Sequence, residues 1–345
     1  MANQNIRVGI VGAGANTRLR HIPGLRAIQG VEIVCVCNRT LESSQRVAEQ
    51  FGIPKVCADW RQLVEFDDID AVVIGTWPNM HARVTVAALG AHKHVLCEAR
   101  MARDVAEAHQ MLDASQMHPD LVAQIVPSPY TLRVDKMIRH LIGQGYLGDL
   151  LTIDIRAGGA FIDTESPIHW RQDFDLSGFN ILGMGIWYEA MMRWVGCATR
   201  ISAMGKVFVR NRKDENGQLK AVRIPEHIDI LADLACGAQA HLQFSSVTGL
   251  LGAPEAYLFG TMGTLRFSQD KLFGGRRGES QLNEIDIQPE KQGHWRVEEE
   301  FVAAIRGQGM ITHTSFEDGV KYMEFTEAVS RSMMQNTSVS LPLEI

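Results

Sequence analysis

Five short apolar runs, at 6–11, 31–37, 71–75, 94–97 and 121–126, alternate with amphipathic stretches over the first 125 residues. This alternation constrains the fold more than any other feature, because strand and helix units repeated in this way feed a parallel sheet. Segment 40–51 carries Leu41, Val47, Ala48 and Phe51 at helical spacing, and 81–89 and 102–117 read as further crossover helices. Right-handed crossovers then produce a doubly wound sheet. Pro127-Ser128-Pro129 marks a boundary, since two prolines in three residues stop both helix and ladder. The expected division is a Rossmann-type domain over 1–126 and a second domain over 127–345.

The second half reads as α+β. A helix over 131–143 closes at Gly145, a strand follows over 150–155, and a polar loop leads to a second helix over 181–194. Strand-like runs at 201–209, 228–235, 239–247, 256–260 and 264–267 predict one large, mostly antiparallel open sheet. The tail 315–334 is predicted helical, with Ser315 as N-cap and Asp318 three residues on. Gly274-Gly275-Arg276-Arg277-Gly278 lacks a strand-loop-helix context and reads as a mobile surface loop.

A net charge of -6 gives no field for a phosphate backbone, which excludes nucleic acid as an expected partner. The six cysteines contain no Cys-x-x-Cys pair and several lie in apolar runs, as reduced thiols would. Neither a signal-type apolar stretch nor an 18-residue apolar segment occurs, so a soluble, cytoplasmic protein without membrane contact is expected. His92 and His94 are two apart with no third ligand in view, and no metal site is expected.

Gly12-Ala13-Gly14 follows the first strand directly, where a dinucleotide-binding turn needs glycine so that backbone can approach a pyrophosphate at a helix start. Ala15, Asn16 and Thr17 complete the candidate turn, with Thr17 standing where a third glycine is usual. The second strand ends Cys37-Asn38-Arg39, without the carboxylate that normally accepts from ribose hydroxyls. A neutral amide followed by a guanidinium favours a 2'-phosphate, so NADP(H) is expected over NAD(H).

The third strand ends Gly75-Thr76-Trp77-Pro78-Asn79-Met80-His81 and the fourth ends Cys97-Glu98-Ala99-Arg100-Met101. With the glycine turn running on to His21-Ile22-Pro23, the turn at 143–148, Trp170-Arg171, Gly260-Thr261 with Gly263-Thr264-Leu265, and the segment 315–319, the chain resembles the Gfo/Idh/MocA oxidoreductases. The resemblance covers almost the whole chain. It implies a Rossmann domain that places Thr76, Trp77, Pro78, Asn79, His81, Glu98 and Trp170 at a bound dinucleotide. It also implies a second domain whose open sheet carries a substrate pocket on one face and a subunit interface, dimeric or tetrameric, on the other.

The departures bear on the chemistry. Members usually carry Glu-Lys-Pro after the fourth strand, where this chain has Glu98, Ala99 and Arg100, and an Asp and His four apart on a second-domain helix, where it has Gly183 and Trp187. Candidate substitutes are His169, Tyr188, Arg100 and Arg171: an imidazole beside a guanidinium, a phenol one step around the helix from Trp187, and a guanidinium at the C-terminal end of a parallel strand. Glu189 is expected to point elsewhere, in a surface ion pair with Arg193. The resemblance implies hydride exchange between a nicotinamide and a sugar, inositol or related polyol. Two alternatives stand beside it: a glycosidase or lyase that oxidises its substrate transiently with the same cofactor, and a redox-silent dinucleotide-binding protein.

Overall fold

The structure, a computed structural model, describes residues 5–344. The chain divides into two compact units, one comprising residues up to Pro127 together with Arg296–Met323, the other Ser128–Trp295 with Glu324–Ile345. Segment 296–323 therefore groups with the first unit, whereas the sequence places everything after 127 in the second.

In the first unit, strands β1 (Ile6–Val11), β2 (Val31–Cys37), β3 (Lys55–Val56), β4 (Ala71–Ile74), β5 (His94–Cys97) and β6 (Ala123–Ile125) form one parallel sheet in the order 3-2-1-4-5-6. All four residues of β4, and Val8, Ile10, Val95 and Leu96 beside it, are buried, as strands covered on both faces must be. The crossover helices begin and end where local chemistry directs. Thr40 accepts from the Ser43 N–H to start Leu41–Phe51, and Gly52 ends that helix in the left-handed region. Asp104 accepts from the Glu107 N–H to start Val105–Met117.

The second unit is built on a nine-stranded sheet. Its strands lie in the order Asn283–Glu284, Lys271–Arg276, Gly263–Ser268, Glu255–Gly260, Leu150–Ala157, Gln239–Ser245, His227–Leu234, Ala198–Lys206, Val339–Ser340. Neighbours run antiparallel except Leu150–Ala157 beside Gln239–Ser245. One face buries Ile153, Ile155, Ile228, Ile230, Leu242 and Phe244. The alternate residues, among them Asp154, Asp229, Leu231, His241 and Tyr257, lie on the other. Gly274 and Gly275 pair with Leu265 and Thr264, so the expected loop is instead part of a strand; a Cβ at Gly274 would lie 2.7 Å from Ile285. Ser315 and Asp318 bond reciprocally at the start of Phe316–Gln335. No helix among the described residues is long and apolar enough to cross a membrane.

Candidate active site

In an open parallel sheet, ligands lie beyond the carboxyl ends of the strands, and the C-terminal edge of β1, β2, β4 and β5 gathers most of the sequence-derived candidates. Gly12 adopts φ +86°, and a Cβ there would come within 2.6 Å of the Thr76 backbone nitrogen. Its glycine serves the chain's own close packing. Gly14 differs: a Cβ would meet only the Gly75 carbonyl oxygen, at 3.2 Å, so a side chain there would enter open space beside the turn.

The third glycine of the usual turn has been exchanged with a partner. Thr17 is buried and its hydroxyl donates to the Gly12 carbonyl at 3.3 Å. It fits because Gly75 opposite lacks a side chain, whose Cβ would fall 2.1 Å from the Thr17 hydroxyl oxygen.

Asn38 proves to be a strut. Its Oδ1 accepts from the Ala13 N–H at 2.7 Å, its Nδ2 donates to the Ser43 carbonyl at 3.1 Å, and its own N–H donates to the Ser44 hydroxyl at 2.8 Å. The amide ties the glycine turn to the helix after β2, and its acceptor oxygen is committed there. Arg39 is exposed, its guanidinium 5.5 Å from the Trp77 ring centroid.

After β4, Thr76 Oγ1 and Asn79 Oδ1 are buried without a hydrogen-bond partner. An orphaned buried polar atom costs about 1–3 kcal/mol, and these two lie three residues apart where β4 passes into the next helix. Pro78 begins the next helix, where its missing N–H costs nothing. His81 is fully buried, Nδ1 at 2.8 Å from the Arg100 carbonyl and Nε2 at 3.0 Å from the Thr76 carbonyl. Burial lowers its pKa below the usual imidazole range while the two carbonyls act against that shift, and in the neutral ring only one of the two nitrogens can donate.

Glu98, at the end of β5, accepts on Oε1 from Asn16 Nδ2 at 2.5 Å and lies 3.0 Å from His21 Nε2. Arg100 is buried. The sequence reading missed His21 as a site-wall residue; its position seven residues past Gly14 was the available signal, but its second partner, Glu298, lies 277 residues away.

In the second unit the candidates separate. His169 is exposed and caps the short helix Trp170–Gln172: Nδ1 accepts from the Arg171 N–H at 3.3 Å, and its own N–H donates to Gln172 Oε1. Partial burial and the neighbouring Arg171 hold its pKa below the ordinary value. Arg171 stacks over Trp170 at 4.1 Å. The segment is strapped down where Ile168 donates to the Lys213 carbonyl and Lys220 pairs with Asp173.

Tyr188 corrects the sequence reading. It is fully buried, its ring stacks on Phe325 at 3.6 Å, its hydroxyl accepts from the Ala198 N–H, and burial drives its pKa far up. A phenol so held is a core residue. Trp187 is likewise core, packed near Tyr130 and Phe267. Glu189 pairs with Arg193 as expected, but inside the protein: it accepts from the Ser128 N–H, and Arg193 also pairs with Asp135. Two surface depressions, beside Arg276 and beside Trp60, share no residue with the candidate set.

A parallel sheet in this strand order, with a glycine turn after its first strand, defines a dinucleotide-binding Rossmann unit. Residues 6–124 match the oxidoreductase family, NAD-binding Rossmann fold, of the Gfo/Idh/MocA type, and residues 136–266 match the Gfo/Idh/MocA C-terminal domain. The chain belongs to the Gfo/Idh/MocA oxidoreductase family. It is 36% identical over 111 residues to 4-carboxy-2-hydroxymuconate-6-semialdehyde dehydrogenase of Sphingobium sp., covering 32% of this chain and 35% of that protein. It is 30% identical over 154 residues to inositol 2-dehydrogenase of Salmonella typhimurium, covering 43% and 44%. These alignments thus span less than half of either relative. A structure of levoglucosan dehydrogenase in complex with NADH and L-sorbose shares the fold at a TM-score of 0.86 and 21% identity, covering 98% of this chain and 99% of that one.

Proposed function

We propose that this chain is an NAD(P)-dependent dehydrogenase that exchanges a hydride with a secondary alcohol of a sugar, inositol or related polyol. The observation that carries the reading is the C-terminal edge of the parallel sheet. There Gly14 leaves space beside the turn, and Thr76 Oγ1 and Asn79 Oδ1 are buried acceptors awaiting a donor. Such a set fits a dinucleotide: Gly12 and Gly14, whose own N–H groups donate to the Cys37 and Gly12 carbonyls, let the backbone approach a pyrophosphate, Ala15, Asn16 and Thr17 bring the start of the following helical segment to it, and Thr76, Trp77, Pro78, Asn79 and Glu98 line its path. His81 and Asn38 fix the loops that do so. The nicotinamide supplies the hydride chemistry when bound. The sugar and polyol class is drawn from the inositol and levoglucosan dehydrogenases.

Arg39 supports preference for NADP(H), since an exposed guanidinium at the end of β2 can pair with a 2'-phosphate, and Asn38, committed to Ala13 and Ser43, brings no carboxylate to repel it. On the substrate side, His169 and Arg171 are the polar groups on an exposed, anchored segment, and Trp170 adjoins them. With Nδ1 occupied by the Arg171 N–H, neutral His169 carries its proton on Nε2 and donates from there to a substrate oxygen. Arg100 remains a hydroxyl or anion contact and not a base, because guanidinium keeps its proton. The outer sheet face, with Met204 and Leu231 exposed among charged residues, supports a homodimer or homotetramer. Six free cysteines support a reducing cytoplasm.

A panel of polyols offered with NADP+ and read at 340 nm tests the reading. Reduction of the cofactor with at least one polyol is expected. Cleavage of a glycoside at unchanged 340 nm absorbance would favour transient oxidation instead, and binding without any chemistry would leave a redox-silent protein.

A further inference from the structure

Behind Glu98 lies a buried cluster drawn from three elements. His21 belongs to the helical segment that follows the glycine turn and is fully buried. Its Nε2 lies 3.0 Å from Glu98 Oε1 at the end of β5, and its Nδ1 lies 2.5 Å from Glu298 Oε1 on the helix Val297–Ile305. Both carboxylates are largely enclosed, with side chains 16% and 5% exposed. Ionised carboxylates only accept, so a ring that bonds one at each nitrogen must carry both protons. The unit is an imidazolium between two anions, an arrangement in which removing the cation leaves like charges facing each other out of water.

Among the charged groups that face His21 are Glu98 and Glu298, and among those that face Glu98 are His21 and, more distantly, His81, with the Asn16 amide as a further donor. Asn16 and His21 both reach Glu98 Oε1, which leaves Oε2 without a protein partner among the described residues. The carboxylate is therefore pinned by one oxygen while the other is open beside the turn that begins at Gly12.

We propose that His21, backed by Glu298, is a positioning residue that keeps the Glu98 carboxylate ionised with Oε2 free to accept from the bound dinucleotide. The proposal rests on Glu98 being a dinucleotide contact. It accounts for a buried charge cluster in a wall that apolar packing would otherwise fill at lower cost. Burial opposes the charge on His21, but the hydrogen bonds to Glu298 and Glu98 outweigh it and raise its pKa to about 9, while His21 and Asn16 hold Glu98 below the usual carboxylate range against its own burial.

The test is NADPH binding by the full chain, followed by nicotinamide fluorescence from about pH 5.5 to 8.5. Unaltered protein should bind evenly across that range, and Glu98→Gln should weaken binding at every pH. His21→Gln should weaken binding at least tenfold near pH 6 and recover toward normal near pH 8.5, because the two carboxylates left facing each other share a proton until the solution is basic. Adding Glu298→Gln to His21→Gln should remove most of that acid sensitivity. A His21→Gln defect of equal size at every pH, or none, would overturn the proposal while leaving Glu98 a contact. Normal binding by Glu98→Gln would instead overturn the reading of Glu98 and the proposal with it. Should His21→Gln fail to fold, nitrogen-15 spectra of the unaltered chain decide: one of its 12 histidines should keep both ring nitrogens protonated to about pH 9 and shift in Glu98→Gln. Absence of any such imidazolium above pH 8 would also overturn the proposal.

Discussion

The polar groups around the glycine turn of the first unit and those on the helix Met184–Val195 of the second are used differently. Around the glycine turn, the buried Thr76 Oγ1 and Asn79 Oδ1 have no hydrogen-bond partner in the protein and Glu98 is held by one oxygen only. On the helix Met184–Val195, the groups that sequence spacing offered for chemistry are consumed internally: Tyr188 by the Ala198 N–H and Phe325, Glu189 by Ser128 and Arg193. Proximity to a site in sequence says little about availability; an unspent hydrogen-bonding capacity says more. The glycine turn thus keeps hydrogen-bonding capacity unspent, whereas the helix Met184–Val195 spends its own on the protein.

The largest expected effect breaks the first unit itself. Gly12→Val should prevent its folding, because the side chain must occupy a left-handed conformation 2.6 Å from the Thr76 nitrogen; loss of the cooperative thermal transition would show it. Next, Glu189→Gln should destabilise the second unit by about 2–4 kcal/mol, since it removes one partner of a buried ion pair, and denaturant unfolding should show this with catalysis little changed in the protein that remains folded. His169→Ala should lower the turnover rate by at least about tenfold with dinucleotide affinity unchanged. Tyr188→Phe should leave the rate within about twofold while costing roughly 1 kcal/mol for the orphaned Ala198 N–H, and a large rate loss there would break the comparison. Arg39→Ala should weaken NADP(H) by about 1–3 kcal/mol and leave NAD(H) nearly as before, measured by calorimetry.

Stability should also depend on pH through His21. Its folded pKa, raised to about 9 from 6.5, contributes stability that is complete below about pH 6.5 and lost as pH rises toward 9. The melting temperature of the unaltered chain should fall across that window, and His21→Gln should flatten the fall.

Much of the first unit was legible because buried parallel strands are written as continuous apolar runs, and β1, β2, β4 and β5 lie where those runs are. The two-residue strand β3 carries too few residues to show a period. Gly274 and Gly275 read as a loop because local propensity favours one, whereas their strand is imposed by pairing with Leu265 and by close packing from Ile285. At the site, glycines and strand ends were visible as local chemistry, but three features depend on partners distant in sequence. Thr17 fits through Gly75, Asn38 is spent on Ala13, and His21 pairs with Glu298. Tyr188 and Glu189 show the converse: helical spacing places a residue on a face, but only packing says what that face meets.

The first unit is expected to hold its dinucleotide at the space Gly14 leaves open. Titration of the full chain with NADPH, unaltered and as Gly14→Val, tests it most directly. The Gly14→Val side chain would lie in that space and touch little of the protein, so it should keep the thermal transition and lose saturable binding. A folded Gly14→Val protein that binds NADPH as the unaltered chain does would show that the dinucleotide does not lie there.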